Sequence, residues 1–214
     1  MRSLLPCVAL AAAASLNAAA AFFAGAATEP DGAYYLCFSG GAVEMPTMPP
    51  LGTRATLQVP PLRAPGADAG RVRALVLGAV RRDFARWPRV SIREGGLPEH
   101  PLDNVVVVGG RAQGGALLGL ADAVDAGDGR SDERAVVFAE SLVGLLHAPS
   151  EEEAAQAIAN TVSHEIGHLL GFAHAKRRGG SDIMFPGVRD DEAGLEQAFL
   201  IHHQSYAASW RRRA

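Results

Sequence analysis

Residues 164–174 read His-Glu-Ile-Gly-His-Leu-Leu-Gly-Phe-Ala-His. His164 and His168 stand four apart, so on a helix their imidazoles leave one face a single turn apart. Glu165 lies about 100° round the helix from His164. From there it does not share an ion with both histidines, yet it reaches a water bound to that ion. This is the H-E-x-x-H pattern of zinc hydrolases. Gly171 lets the backbone leave the helix with φ > 0, and the turn then carries His174 round as a third ligand. Three neutral imidazoles and a water make a tetrahedral site with one exchangeable corner. The bland alternative is three unrelated histidines near a helix end. With 7 His and 24 Gly in 214 residues, chance produces the pattern roughly 5 times in 100,000, so the metal reading is preferred.

Ten residues beyond His174, Met184 sits in Ser181-Asp182-Ile183-Met184-Phe185-Pro186. Together with the extended histidine motif, this resembles the metzincin metallopeptidases, whose zinc helix is followed by a methionine-bearing turn beneath the metal. Within that clan the chain is most similar to the matrixin branch, whose Met-Tyr-Pro turn Met184-Phe185-Pro186 resembles. The resemblance covers about residues 54–210, with 164–186 as its specific part. It implies a zinc-dependent endopeptidase with one catalytic Zn2+ on His164, His168 and His174. Glu165 would act as general base, and Gly171 and Met184 as structural support of the site. An extended peptide or protein substrate would pair along an edge strand near 117–122, with residues 185–188 walling the pocket beyond the scissile bond. Three departures stand out: Ala175 replaces the serine that follows the third histidine in matrixins, Cys37 lacks the inhibitory Pro-Arg-Cys-Gly setting, and no motif marks a second zinc or a calcium site. Where some metzincins carry a tyrosine, this chain has Pro186.

Two other readings compete. One is a secreted zinc-binding module of the same fold without turnover, against which Glu165 argues. The other replaces His174 by Glu192 or Glu196, as in thermolysin-like enzymes, against which Gly171 and Met184 argue. A structural Ca2+ could draw on Asp122, Asp125, Asp128 and Asp132, although their spacing fits a solvated acidic loop better. Cys37 could cap the zinc as a thiolate; a plain lone thiol is the preferred reading. His202 and His203 are assigned no role.

The elements that must position these residues follow from periodicity. Residues 54–59 alternate as a strand. Residues 68–87 carry Val72, Leu75, Val76, Ala79, Val80 and Phe84 at spacings of three and four, the stripe of an amphipathic helix. Strands are expected at 90–93, at 105–108 (four valines, read as buried on both faces), at 116–124 and at 135–139. Ser150 caps a helix whose first turn holds Glu151, Glu152 and Glu153, where carboxylates meet the positive end of the dipole; it runs to Leu170. A last helix is expected over 191–210. The fold class is α/β (α+β), a five-stranded mixed twisted sheet with two long helices and a C-terminal helix.

Length and charge bound the remaining classes. A net charge of -3 over 214 residues supplies no positive field for nucleic acid. Residues 1–26 read as a signal peptide: Arg2, an apolar run, then Ala24-Gly25-Ala26 before polar Thr28. Residues 27–53, punctuated by Pro46, Pro49 and Pro50, read as an irregular lead-in or short propeptide, and 54–214 as a metzincin-like zinc peptidase domain. The expectation is thus a secreted protein without stable membrane association, carrying one thiol and no internal disulfide. Its oligomeric state is not legible.

Overall fold

A computed structural model describes residues 32–48, 53–64, 68–97, 103–112, 117–122, 132–146, 149–174 and 183–184. Seven strands and three helices follow one another along these segments: β1 (Gly32–Cys37), β2 (Gly41–Met48), β3 (Thr53–Val59), α1 (Ala69–Asp83), β4 (Val90–Glu94), β5 (Asn104–Val108), β6 (Gly119–Ala121), β7 (Arg134–Val137), α2 (Ala139–Leu145) and α3 (Glu151–Leu169). Five strands form one mixed sheet in the order β4-β1-β5-β7-β6. β4, β1, β5 and β7 pair in parallel, and β6 runs antiparallel to β7 along one edge.

Side-chain alternation in the sheet builds two cores. Tyr34, Leu36, Val106, Val108, Ala135 and Val137 face α1 and α3. Their neighbours Tyr35, Cys37, Val105, Val107 and Val136 face the β2–β3 ribbon. The four valines of β5 are wholly buried, as a run without polar alternation requires; each contributes about 1.5–3 kcal/mol through burial.

α1 begins at Asp68, whose carboxylate accepts from the amides of Gly70 and Arg71. Its stripe of Val72, Val76, Ala79 and Val80 packs along α3. Ser163 on α3 donates to the Asp83 carboxylate at 2.6 Å, tying the far end of α1 to the middle of α3. α3 opens with a reciprocal cap: Glu153 N–H donates to the Ser150 hydroxyl at 3.2 Å, and Ser150 N–H donates back to the Glu153 carboxylate at 2.8 Å. From Ala154 to Leu169 this helix is buried at nearly every position, so its register cannot slip. None of the described helices is long and apolar enough to cross a membrane.

The sheet has the expected five strands, but one of them differs from the expectation. Residues 32–37, read as part of an irregular lead-in, form β1 between β4 and β5 near the middle of the sheet. Residues 54–59 instead pair antiparallel with β2 in a separate two-stranded ribbon. The prolines do not break the ribbon, because Pro46 falls where the β2–β3 register shifts between Met45 and Met48, a place where a strand tolerates a missing amide. The edge strand is shorter than expected, 119–121 against 116–124, and α2 was not anticipated. The expected helix over 191–210 and the export segment over 1–26 lie outside the described residues.

Replacing Ser150 by alanine removes one half of the reciprocal cap and should lower stability by about 1 kcal/mol. A urea-denaturation midpoint indistinguishable from wild type would show that the cap does not hold the start of α3.

Candidate metal centre

The C-terminal half of α3 presents His164, Glu165 and His168, which are 8%, 4% and 2% exposed. The helix stops at Leu170, and Gly171 follows with φ = 85°, a left-handed conformation that costs glycine little. Gly171 N–H donates to His168 O at 2.9 Å, and Phe172 N–H donates to Gly167 O at 2.8 Å. This pair of bonds closes the helix in a Schellman turn. Phe172 is buried, with its ring centroid 6.0 Å from that of Trp87. The chain is thereby reversed, and His174 returns over the end of its own helix.

The three Nε2 atoms converge. His164 and His168 are 3.0 Å apart, His168 and His174 3.1 Å, and His164 and His174 3.2 Å. The opposite nitrogens identify the tautomers. His164 Nδ1–H donates to the Ile183 carbonyl at 2.6 Å, and His168 Nδ1–H donates to the Phe172 carbonyl at 2.8 Å. A carbonyl only accepts, so on both neutral rings the proton sits on Nδ1 and the lone pair on Nε2. Burial holds all three rings in their neutral form: His164 is pulled down to about 4, His168 well below the ordinary imidazole value, and half-buried His174 below it as well. Lone pairs that face one another at this distance repel unless a cation lies between them. Ligands about 2.05 Å from a tetrahedral ion stand about 3.3 Å apart, close to the separations observed. The tripod therefore fits a divalent ion with imidazole preference. Among the described residues, these three side chains bring their donors close enough to hold one ion.

Glu165 points to the edge of the sheet. Burial pushes its carboxyl up to about 8, offset in part by a hydrogen bond from the Ala121 backbone of β6. Among the described residues, its Oε2 has no hydrogen-bond partner. Met184 is fully buried beside Ile183, whose carbonyl orients His164. That carbonyl, the Phe172 carbonyl and the Ala121 amide are all main-chain groups that side-chain reasoning did not single out.

Cys37 does not join this cluster. It is fully buried in the core beneath the β2–β3 ribbon, on the sheet face opposite α3, and donates to the Gly40 carbonyl at 3.6 Å. Cys37 is thus a lone core thiol, as the preferred reading has it, and not a cap on the metal. Of the four aspartates considered for calcium, Asp122 is buried and Asp132 exposed, while Asp125 and Asp128 lie outside the described residues. Residues 185–188, Glu192, Glu196, His202 and His203 lie outside them as well.

No protein-family model matches the chain, and no curated protein matches it in sequence. Among solved structures it is similar to an archaemetzincin from Methanopyrus kandleri. The two share 16% identity over 86% of this chain and 98% of that one, with a TM-score of 0.48. Nothing in these comparisons supports the matrixin branch.

The metal-free protein should show a stability maximum near neutral pH. Unfolded histidines take up protons below about 6.5 while the folded ring of His164 resists until about 4; stability is therefore lost as pH falls through that window. Glu165 acts in the opposite sense. It stays protonated in the fold to about 8 but ionises near 4.5 when unfolded, so stability is also lost as pH rises toward 8. Three histidines outweigh one glutamate on the acid side. Urea midpoints from pH 4 to 9 on chelator-treated protein check this, and a flat profile below pH 6.5 would contradict a buried neutral triad.

Proposed function

We propose that this chain is a zinc-dependent endopeptidase. The observation that carries the reading is the tripod of inward-facing Nε2 atoms, with a carboxylate on the residue next to its first member. Zn2+ held by His164, His168 and His174 would supply Lewis acidity, lowering the pKa of a water and polarising a carbonyl. The Ile183 and Phe172 carbonyls keep the His164 and His168 lone pairs on the ion by holding the opposite protons. Beside a cation the ionised form of Glu165 is favoured. Glu165 then accepts the proton of the attacking water and delivers it to the nitrogen of the departing amine.

The substrate fits this arrangement as an added strand. Leu118 O accepts from Phe138 N just past β7, and Asp122 N donates to Arg134 O within it. Alternation therefore turns the backbone groups of Gly119 and the Ala121 carbonyl toward the open edge, while the Ala121 amide is taken up by Glu165. An extended peptide can pair there main chain to main chain. That mode selects flexible or unfolded segments over particular side chains. Residues 1–26 would serve as an export signal, which makes the enzyme a secreted one.

Zinc stoichiometry and cleavage of a peptide library test the reading together. Wild type should bind one zinc per chain and cleave, and a chelator should abolish cleavage reversibly. Glu165→Gln should keep its zinc and lose about 10²–10⁴-fold in turnover. His174→Ala should lose zinc and activity alike. Full activity in Glu165→Gln refutes the assignment, and a zinc-loaded wild type that cleaves nothing favours a binding module without turnover.

A further inference from the structure

Gly119 lies in the three-residue edge strand β6, next to the catalytic candidate, and its lack of a side chain has a spatial cause. It is not one of the described glycines with positive φ, so backbone conformation does not demand glycine there. Space does. A Cβ on Gly119 would stand 2.8 Å from Glu165 Cδ and 2.9 Å from Cγ, and would press on Oε1 closer still. Cβ atoms do not approach other carbons so closely. The Ala121 amide, two residues along the same strand and turned to the same side, donates to the Glu165 carboxylate. Gly119 and Ala121 therefore form two halves of one niche, a gap and a donor, and the carboxylate occupies it with 4% of Glu165 exposed.

We propose that Gly119 is a positioning residue for Glu165: its missing side chain is the niche that, with the Ala121 amide, fixes where the carboxylate stands relative to the histidine tripod. Any side chain at 119 displaces the carboxylate from the Ala121 amide, while leaving His164, His168 and His174 on their own supports. The activity arm of this inference rests on the peptidase reading; its geometry does not.

Two comparisons test it. In the first, urea midpoints are measured for Gly119→Ala in the wild-type and in the Glu165→Ala backgrounds. The midpoint should fall in wild type and stay level, or rise, where the carboxylate is gone. An equal fall in both backgrounds, or none in either, overturns the niche. Should Gly119→Ala fail to fold, folding of the double variant supports the inference, and its failure too overturns it. In the second, zinc content, kcat and KM are measured on the peptides that wild type cleaves. Gly119→Ala should keep one zinc and lose roughly 100-fold in kcat, the scale of a 1 Å misplacement, with KM changed less than about threefold. In a Glu165→Asp background, with the carboxylate drawn back by one carbon, the same substitution should cost little more. A kcat within twofold of wild type, or a loss explained by missing zinc, overturns it. A wild type that cleaves nothing ends the peptidase reading and leaves the midpoint comparison to decide the niche.

Discussion

Three neutral imidazoles crowded nitrogen to nitrogen in a buried pocket are not a comfortable arrangement for a protein. The lone pairs of His164 and His168 repel, and burial denies both rings the protonation that would relieve it. Each α3 histidine is anchored by its other nitrogen to a main-chain carbonyl: Phe172 O belongs to the turn ending the helix, and Ile183 O to a buried residue beside Met184. The molecule thus holds ready a cluster of donors whose mutual repulsion a cation relieves. That is the general condition of a prebuilt metal site, in which binding energy offsets the strain of assembling the ligands.

The scaffold supplies the stiffness this requires. α3 is enclosed on nearly all sides by α1, α2 and the sheet. Such a helix transmits little play from its capped start to the ligands at its other end. The β2–β3 ribbon covers the opposite face of the sheet, so β5 and its parallel neighbours are sandwiched and cannot flex toward solvent. The antiparallel strand β6 pairs with β7 on one side, and on its outer side the Ala121 amide holds Glu165 while the main chain of Gly119 stays open beside it.

Legibility in the sequence tracked how local the determining forces were. The histidine spacing, the Ser150 cap, the α1 stripe and the valines of β5 were readable because each is set by neighbours within a few turns or one strand. β1 was not, because Gly32–Cys37 is apolar on both faces and short, and the prolines that follow it look like those of a linker. Its place between β4 and β5 depends on partners more than fifty residues away. The shortness of β6 and the burial of Cys37 likewise follow from which segments meet in space. In the site itself the ligand set was legible, and the groups that orient it were not.

That last asymmetry has an evolutionary consequence. The outer contacts of the centre are main-chain carbonyls, which every residue type possesses, and one amide, which every type but proline possesses. Substitution at Phe172, Ile183 or Ala121 can alter packing yet leave an acceptor or donor in the same spot, provided the backbone trace survives. A lineage built this way can drift far in residue identity around a constant coordination chemistry. Its kinship would then be written in the path of the chain more than in its letters.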